Sequence, residues 1–188
     1  MVSSTPKNFS HQNSNNSHVV IGIDPASTHI AFVTLYKEHF RVTVSKNLGK
    51  SGPEACHNAR DLTLKTIGEL QQWVGNNTTI HAFYELPVLG RGGFTSTTVQ
   101  CFTSGAVQGV LHERNCKTYS VNVSSWKKAV VGKGNADKGQ VGEFLRLHWN
   151  TLHAAASGNQ DVYDASCIAL YGRQFLESSM AQTSAMQD

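Results

Sequence analysis

The first long apolar run, Val19-Val20-Ile21-Gly22-Ile23, ends abruptly on Asp24-Pro25. It predicts a strand with both faces buried, stopped by a proline that cannot continue the pairing. Residues 30–36 and 40–44 repeat the β pattern around the polar link Lys37-Glu38-His39, so the three strands read as an antiparallel meander. From Pro53 to about Val74 the period changes, with Leu62, Thr66, Leu70 and Trp73 or Val74 on one face of a helix that Pro53 opens. Residues 78–84 form a fourth strand ending on Glu85, two positions before Pro87. A loop, 86–93, carries Gly90, Arg91, Gly92 and Gly93. The helix expected from about Thr95 to Arg114 turns Val99, Phe102, Ala106 and Val110 inward, and Ser104, Gly105 and Gly109 allow close packing. Residues 118–121 are a fifth strand. Beyond them lie a short helix, a Gly-flanked loop, a helix to about Asn150 with Val141, Phe144, Leu145 and Trp149 inward, and a last helix opening at Asp161. This alternation predicts an α/β fold, a mixed five-stranded sheet flanked by helices.

The same pattern divides the chain. Residues 1–17, Ser/Asn-rich and without periodicity, read as a disordered tail with no signal-peptide core. Residues 18–176 read as one domain, and 177–188 as a flexible C-terminal tail. No apolar run is long enough to cross a bilayer, so no membrane role is expected. Cys56, Cys101, Cys116 and Cys167 are too scattered for a zinc motif. They read as reduced thiols in a cytoplasmic or organellar compartment.

Charge adds one feature. The net charge is +3, yet residues 110–150 hold seven Lys or Arg against three Asp or Glu, a local +4 that leaves −1 for the rest. Lys127, Lys128, Lys133 and Lys138 dominate it, interleaved with Gly132 and Gly134, which let backbone approach a phosphate. A polyanionic partner or an ordinary solvated face would each account for it. No Gly-Lys-Ser or Gly-Lys-Thr ends this block, so it is not a Walker loop, and no later Gly-rich phosphate loop supports a sugar-kinase or actin-like ATPase.

The acidic residues sharpen the choice. Asp24 and Glu85 both end strands, and Asp161 and Asp164 stand at i, i+3 in the first turn of one helix. Each has an ordinary explanation, a turn for Asp24 and helix-dipole stabilisation for the pair. Together they are what a two-metal phosphodiesterase requires: hard oxygen ligands for two ions ~3.5–4 Å apart.

The segments Gly22-Ile23-Asp24-Pro25, the strand ending in Glu85, the block running from Lys127 through Val130-Val131-Gly132-Lys133-Gly134-Asn135-Ala136-Asp137 to Lys138, and Asp161-Val162-Tyr163-Asp164-Ala165 carry a resemblance. Over roughly residues 19–172 the chain resembles the RuvC family of Holliday-junction resolvases, in the ribonuclease H-like nuclease superfamily. The long Val-Val-Gly block is the specific part; the other motifs are short.

The resemblance implies a ribonuclease H-like fold and a homodimeric endonuclease of DNA recombination and repair, which nicks two opposed strands of a four-way junction. It implies Asp24, Glu85, Asp161 and Asp164 as ligands of two Mg2+ ions per site, with Mn2+ able to substitute. It also implies Lys138 beside them in catalysis and Lys127, with Lys128 and Lys133, on the DNA. The chain departs from the family three positions after the glutamate, where bacterial members carry an aromatic and this chain has Val88. Arg91 and Phe94 are the expected junction-centre contacts instead, although Phe94 stapling its own helix is an equally physical reading. A nuclease acting on other branched DNA or on structured RNA, and a non-catalytic junction-binding protein, are the alternatives.

Overall fold

The computed structural model describes residues 3–4, 18–49, 51–75, 77–87 and 93–185. Strands β2 (Val19–Pro25), β3 (Ile30–Tyr36) and β4 (His39–Val44) form the antiparallel meander, while β5 (Ile80–Glu85) and β6 (Lys117–Val121) continue the sheet in parallel from β2. These five are the expected strands. A two-residue strand, β1 (Ser3–Ser4), pairs with Arg41 and Phe40 and extends the edge, giving the order β1-β4-β3-β2-β5-β6.

Strand alternation sorts the central side chains into two cores. Val19, Ile21 and Ile23 of β2, with Ile80, Ala82 and Tyr84 of β5, face helices α1 (Gly52–Val74) and α2 (Gly93–Glu113). Val20 of β2 and Phe83 of β5 face the opposite layer. That layer comprises α3 (Val123–Trp126), a π-helical turn Lys127–Val131, α4 (Lys138–His148), α5 (Asn150–Ala156) and α6 (Gln160–Ala185). Gly22 shares its parity with Val20, and Asp24 follows two residues later on the same face. The parallel β2–β5 ladder runs to Ile23 opposite Tyr84, so Asp24 and Glu85 occupy the next positions on adjacent strands, both on the α6 side.

Three expectations shift. Phe102 points outward, 47% exposed, while Thr103, Ser104, Val107, Val110 and Leu111 are the buried residues of α2. Val99, Ala106 and Val110 do turn inward as expected, so the spacing misplaced only Phe102, at the margin of a helix with apolar and small residues all round. The helix expected to reach Asn150 ends at His148; Trp149 breaks it with an extended φ of −141°, and α5 starts afresh. The last helix continues past residue 176 to Ala185, with Ser178, Ser179 and Thr183 hydroxyls donating to carbonyls one turn back. Among the described residues no helix is long and apolar enough to cross a membrane, and all four cysteines are free.

Candidate active site

Asp24 sits where β2 runs out, and α2 holds the turn that follows. Thr103 Oγ1 donates to the Ala26 carbonyl at 3.3 Å, and the Ser96 and Ser27 hydroxyls meet at 3.4 Å. On the other face α6 lies unusually close to β2. A Cβ on Gly22 would overlap the Ala165 carbonyl oxygen and the Ala169 amide nitrogen and would stand 2.9 Å from Ala169 Cα. Only glycine permits that approach. It lays the first turn of α6, with Asp161 and Asp164, beside the end of β2.

The electrostatics record the convergence. Asp24, only 9% exposed, has its pKa pushed well above the ordinary carboxylate range, first by burial and then by repulsion from Glu85, Asp164 and Asp161, while Lys138 opposes the shift. Asp164 is raised too, chiefly by burial; a hydrogen bond from Gln160 and the Lys127 and Lys138 ammonium groups pull it back. Four carboxylates from three separate parts of the chain thus act on one another at one end of the sheet, with Lys127 and Lys138 in the same field.

Neighbouring side chains fix two of the acids. Trp126 Nε1 donates to Glu85 Oε2 at 2.9 Å, and Gln160 Nε2 donates to Asp164 Oδ1 at 2.9 Å. Among the described residues no three His, Cys, Asp or Glu side chains gather tightly enough to hold an ion as they stand. The donor chemistry nevertheless fits a hard divalent cation: the oxygens are carboxylate, Asp24 is buried among like charges, and the mutual repulsion is what a cation relieves. Asp24, Glu85, Asp161 and Asp164 are the residues that would hold it.

The basic block is folded back on itself. The π turn inserts an extra residue into the helical path directly after Trp126, and Gly132 leaves it in the left-handed region at φ 87°. Lys127 Nζ donates to the Ala136 carbonyl at 2.7 Å, tying the two ends of the loop together. Asp137 caps α4, accepting from the Gln140 amide at 2.9 Å while Gln140 Oε1 accepts from the Asp137 amide at 3.1 Å. This reciprocal cap places Lys138 in the first turn, where a cation works against the helix dipole. Lys128 and Lys133 are exposed on the same block. Arg91 and Val88 lie outside the described residues, as does the side chain of Phe94.

Spacing did not single out Trp126 or Gln160. Gln160 stands one helical turn before Asp164, a signal available in the sequence. Trp126 is preceded and followed by polar residues and carries no motif of its own; its full burial and its bond to Glu85 emerge only in three dimensions.

No protein-family model matches the sequence, and comparison with curated proteins gives no match either. Solved structures do match. Thermus thermophilus RuvC is 19% identical with a TM-score of 0.60, and T. thermophilus RuvC in complex with Holliday junction substrate is 19% identical with a TM-score of 0.63. Each match covers 86% of this chain and 96% of the other. At these TM-scores and this near-complete coverage, the chain has the fold of RuvC, an α/β architecture with a mixed sheet covered by helices on both faces.

Proposed function

We propose that the protein is a structure-selective DNA endonuclease that resolves four-way junctions by paired symmetric nicks. The observation that carries this reading is the convergence of Asp24, Glu85, Asp161 and Asp164 at one end of the sheet, with Lys127 and Lys138 in the same field. Four unneutralised carboxylates beside a polyanion oppose binding unless cations sit between them, which disfavours a purely DNA-binding role. The solved relative bound to a Holliday junction substrate supports the choice of a branched DNA.

Divalent ions, two Mg2+ or Mn2+ held by the four carboxylates, would supply an activated water and neutralise the leaving oxygen. The chain's own residues do the rest. Asp24, on the central strand and facing the other three acids, bridges the two halves of the ligand set. Glu85 and the Asp161/Asp164 pair complete it from either side. Lys138 sets a positive charge where the phosphate gains negative charge, and Lys127 holds the loop around it. Lys128 and Lys133 meet the flanking backbone. Arg91 and Phe94 are assigned to the junction centre on their chemistry alone.

The test is cleavage of mobile four-way junction, fork, linear duplex and structured RNA with Mg2+. Paired nicks confined to the junction support the reading; preference for RNA or for unbranched duplex overturns it. Lys127→Ala and Lys138→Ala are expected to slow cleavage and to lower the slope of log affinity against log salt by about 1 each. Wild-type cleavage and slope in both would reduce the block to a solvated surface.

Two opposed nicks call for two sites, so we assign a homodimer. The outward face of α2, with exposed Cys101, Phe102, Gly105 and Gly109, supports this, because small residues let two backbones approach while Phe102 supplies apolar area. Light scattering is expected to give a dimer. A monomer that still made paired nicks would contradict it.

A further inference from the structure

The geometry points to Trp126 as a positioning residue for Glu85, an inference that rests on the proposed reading of Glu85 as a metal ligand. Trp126 is fully buried, and a buried indole N–H requires an acceptor. Its acceptor is a carboxylate oxygen of the site, Glu85 Oε2 at 2.9 Å, rather than a backbone carbonyl. An indole is suited to this task. It donates one hydrogen bond in a fixed direction and carries no charge, so it orients the carboxylate without cancelling the negative charge a cation needs. A lysine or arginine in its place would compete with the ion.

The surroundings make the donor rigid. Trp126 packs in the core formed with α6 and α4 and is the last residue of α3, so the π turn begins at the next residue. That residue is Lys127, whose ammonium is pinned on Ala136 O and acts on Asp164. Two consecutive residues therefore serve acids on two different elements: Trp126 aims Glu85 on β5, and Lys127 faces Asp164 on α6. Both residues keep right-handed helical backbone angles, so their side chains diverge by about 100° around the axis and reach acids on different elements.

The test uses full-length protein and Mn2+ as the probe, with free Mn2+ followed by electron paramagnetic resonance. Replacing position 126 by β-(3-benzothienyl)alanine keeps the ring shape and exchanges the N–H for sulfur; Trp126→Phe is the simpler companion. Loss of the outer hydrogen bond to a ligand is expected to weaken Mn2+ binding ~10–100-fold. Raising Mg2+ is expected to restore junction cleavage in the benzothienyl protein, since the ligand is still present and only its aim is lost. An unchanged Mn2+ dissociation constant in a folded benzothienyl protein overturns the role of Trp126. Glu85→Gln separates this from failure of the parent reading. If Glu85→Gln weakens Mn2+ binding and the benzothienyl protein does not, only the positioning role falls; if neither does, Glu85 is not a ligand and both fall.

Discussion

Asp24→Asn is expected to abolish junction cleavage, a loss of at least ~10²–10³-fold, while junction binding stays the same or tightens. The amide keeps the shape of the carboxylate and its place at the end of β2, but it removes the charge on which the other three acids converge. The same substitution should leave the fold no weaker. Burial and repulsion by Glu85, Asp164 and Asp161 raise the Asp24 pKa in the folded chain, so folding favours its protonated form. That contribution is full below the ordinary carboxylate range and is lost as pH rises through the raised value. Without divalent ions at neutral pH, Asp24→Asn should therefore melt at or above the wild-type temperature, and the difference should shrink in acid. Added Mg2+ should raise the wild-type melting temperature and not that of the variant. Retained nicking by Asp24→Asn would remove Asp24 from the site.

Gly22→Ala is expected to damage both stability and the site through one added carbon. Its Cβ would collide with backbone atoms of Ala165 and Ala169, which cannot swing aside as a side-chain tip would. Either α6 lifts from β2 or the strand bows. Overpacking of this kind costs ~1–3 kcal/mol, and backbone on the receiving side argues for the upper end. For a chain of this size that corresponds to a fall of roughly 6–12 °C in melting temperature. Because α6 carries Asp161 and Asp164, Mn2+ affinity should fall along with the melting temperature. A variant that melted and bound Mn2+ like the wild type would show that the close approach of α6 does not hold the site together.

The elements were most legible where burial left the chain little choice. The β2 and β3 runs are apolar on both faces because helices cover both sides of the sheet, and this produces unbroken runs of Val, Ile and Phe. Asp24 and Glu85 stood out for the same reason, as carboxylates ending such runs. Pro53 in the first turn of α1 left a local signature. What escaped was set by rotation or by distant partners. The π turn differs from an α-helical turn by one residue, and no residue type marks it. The rotation of α2 depends on how its mixed surface meets the sheet, so Phe102 lies outside where the spacing placed it inside. The bond from Trp126 to Glu85 joins residues 41 positions apart and depends on where α3 settles.

The order of the four acids along the chain has a consequence for synthesis. Asp24 emerges early and Glu85 midway, but Asp161 and Asp164 arrive on α6, the last described element, which must still dock against the central strand through Gly22. Domains fold as units while the chain lengthens, and contacts this distant in sequence form late. A partly made polypeptide can expose its lysines to nucleic acid yet lacks half of its acidic set. On the proposed reading, a polypeptide that has not yet reached α6 cannot assemble the acidic set and is expected not to cut DNA.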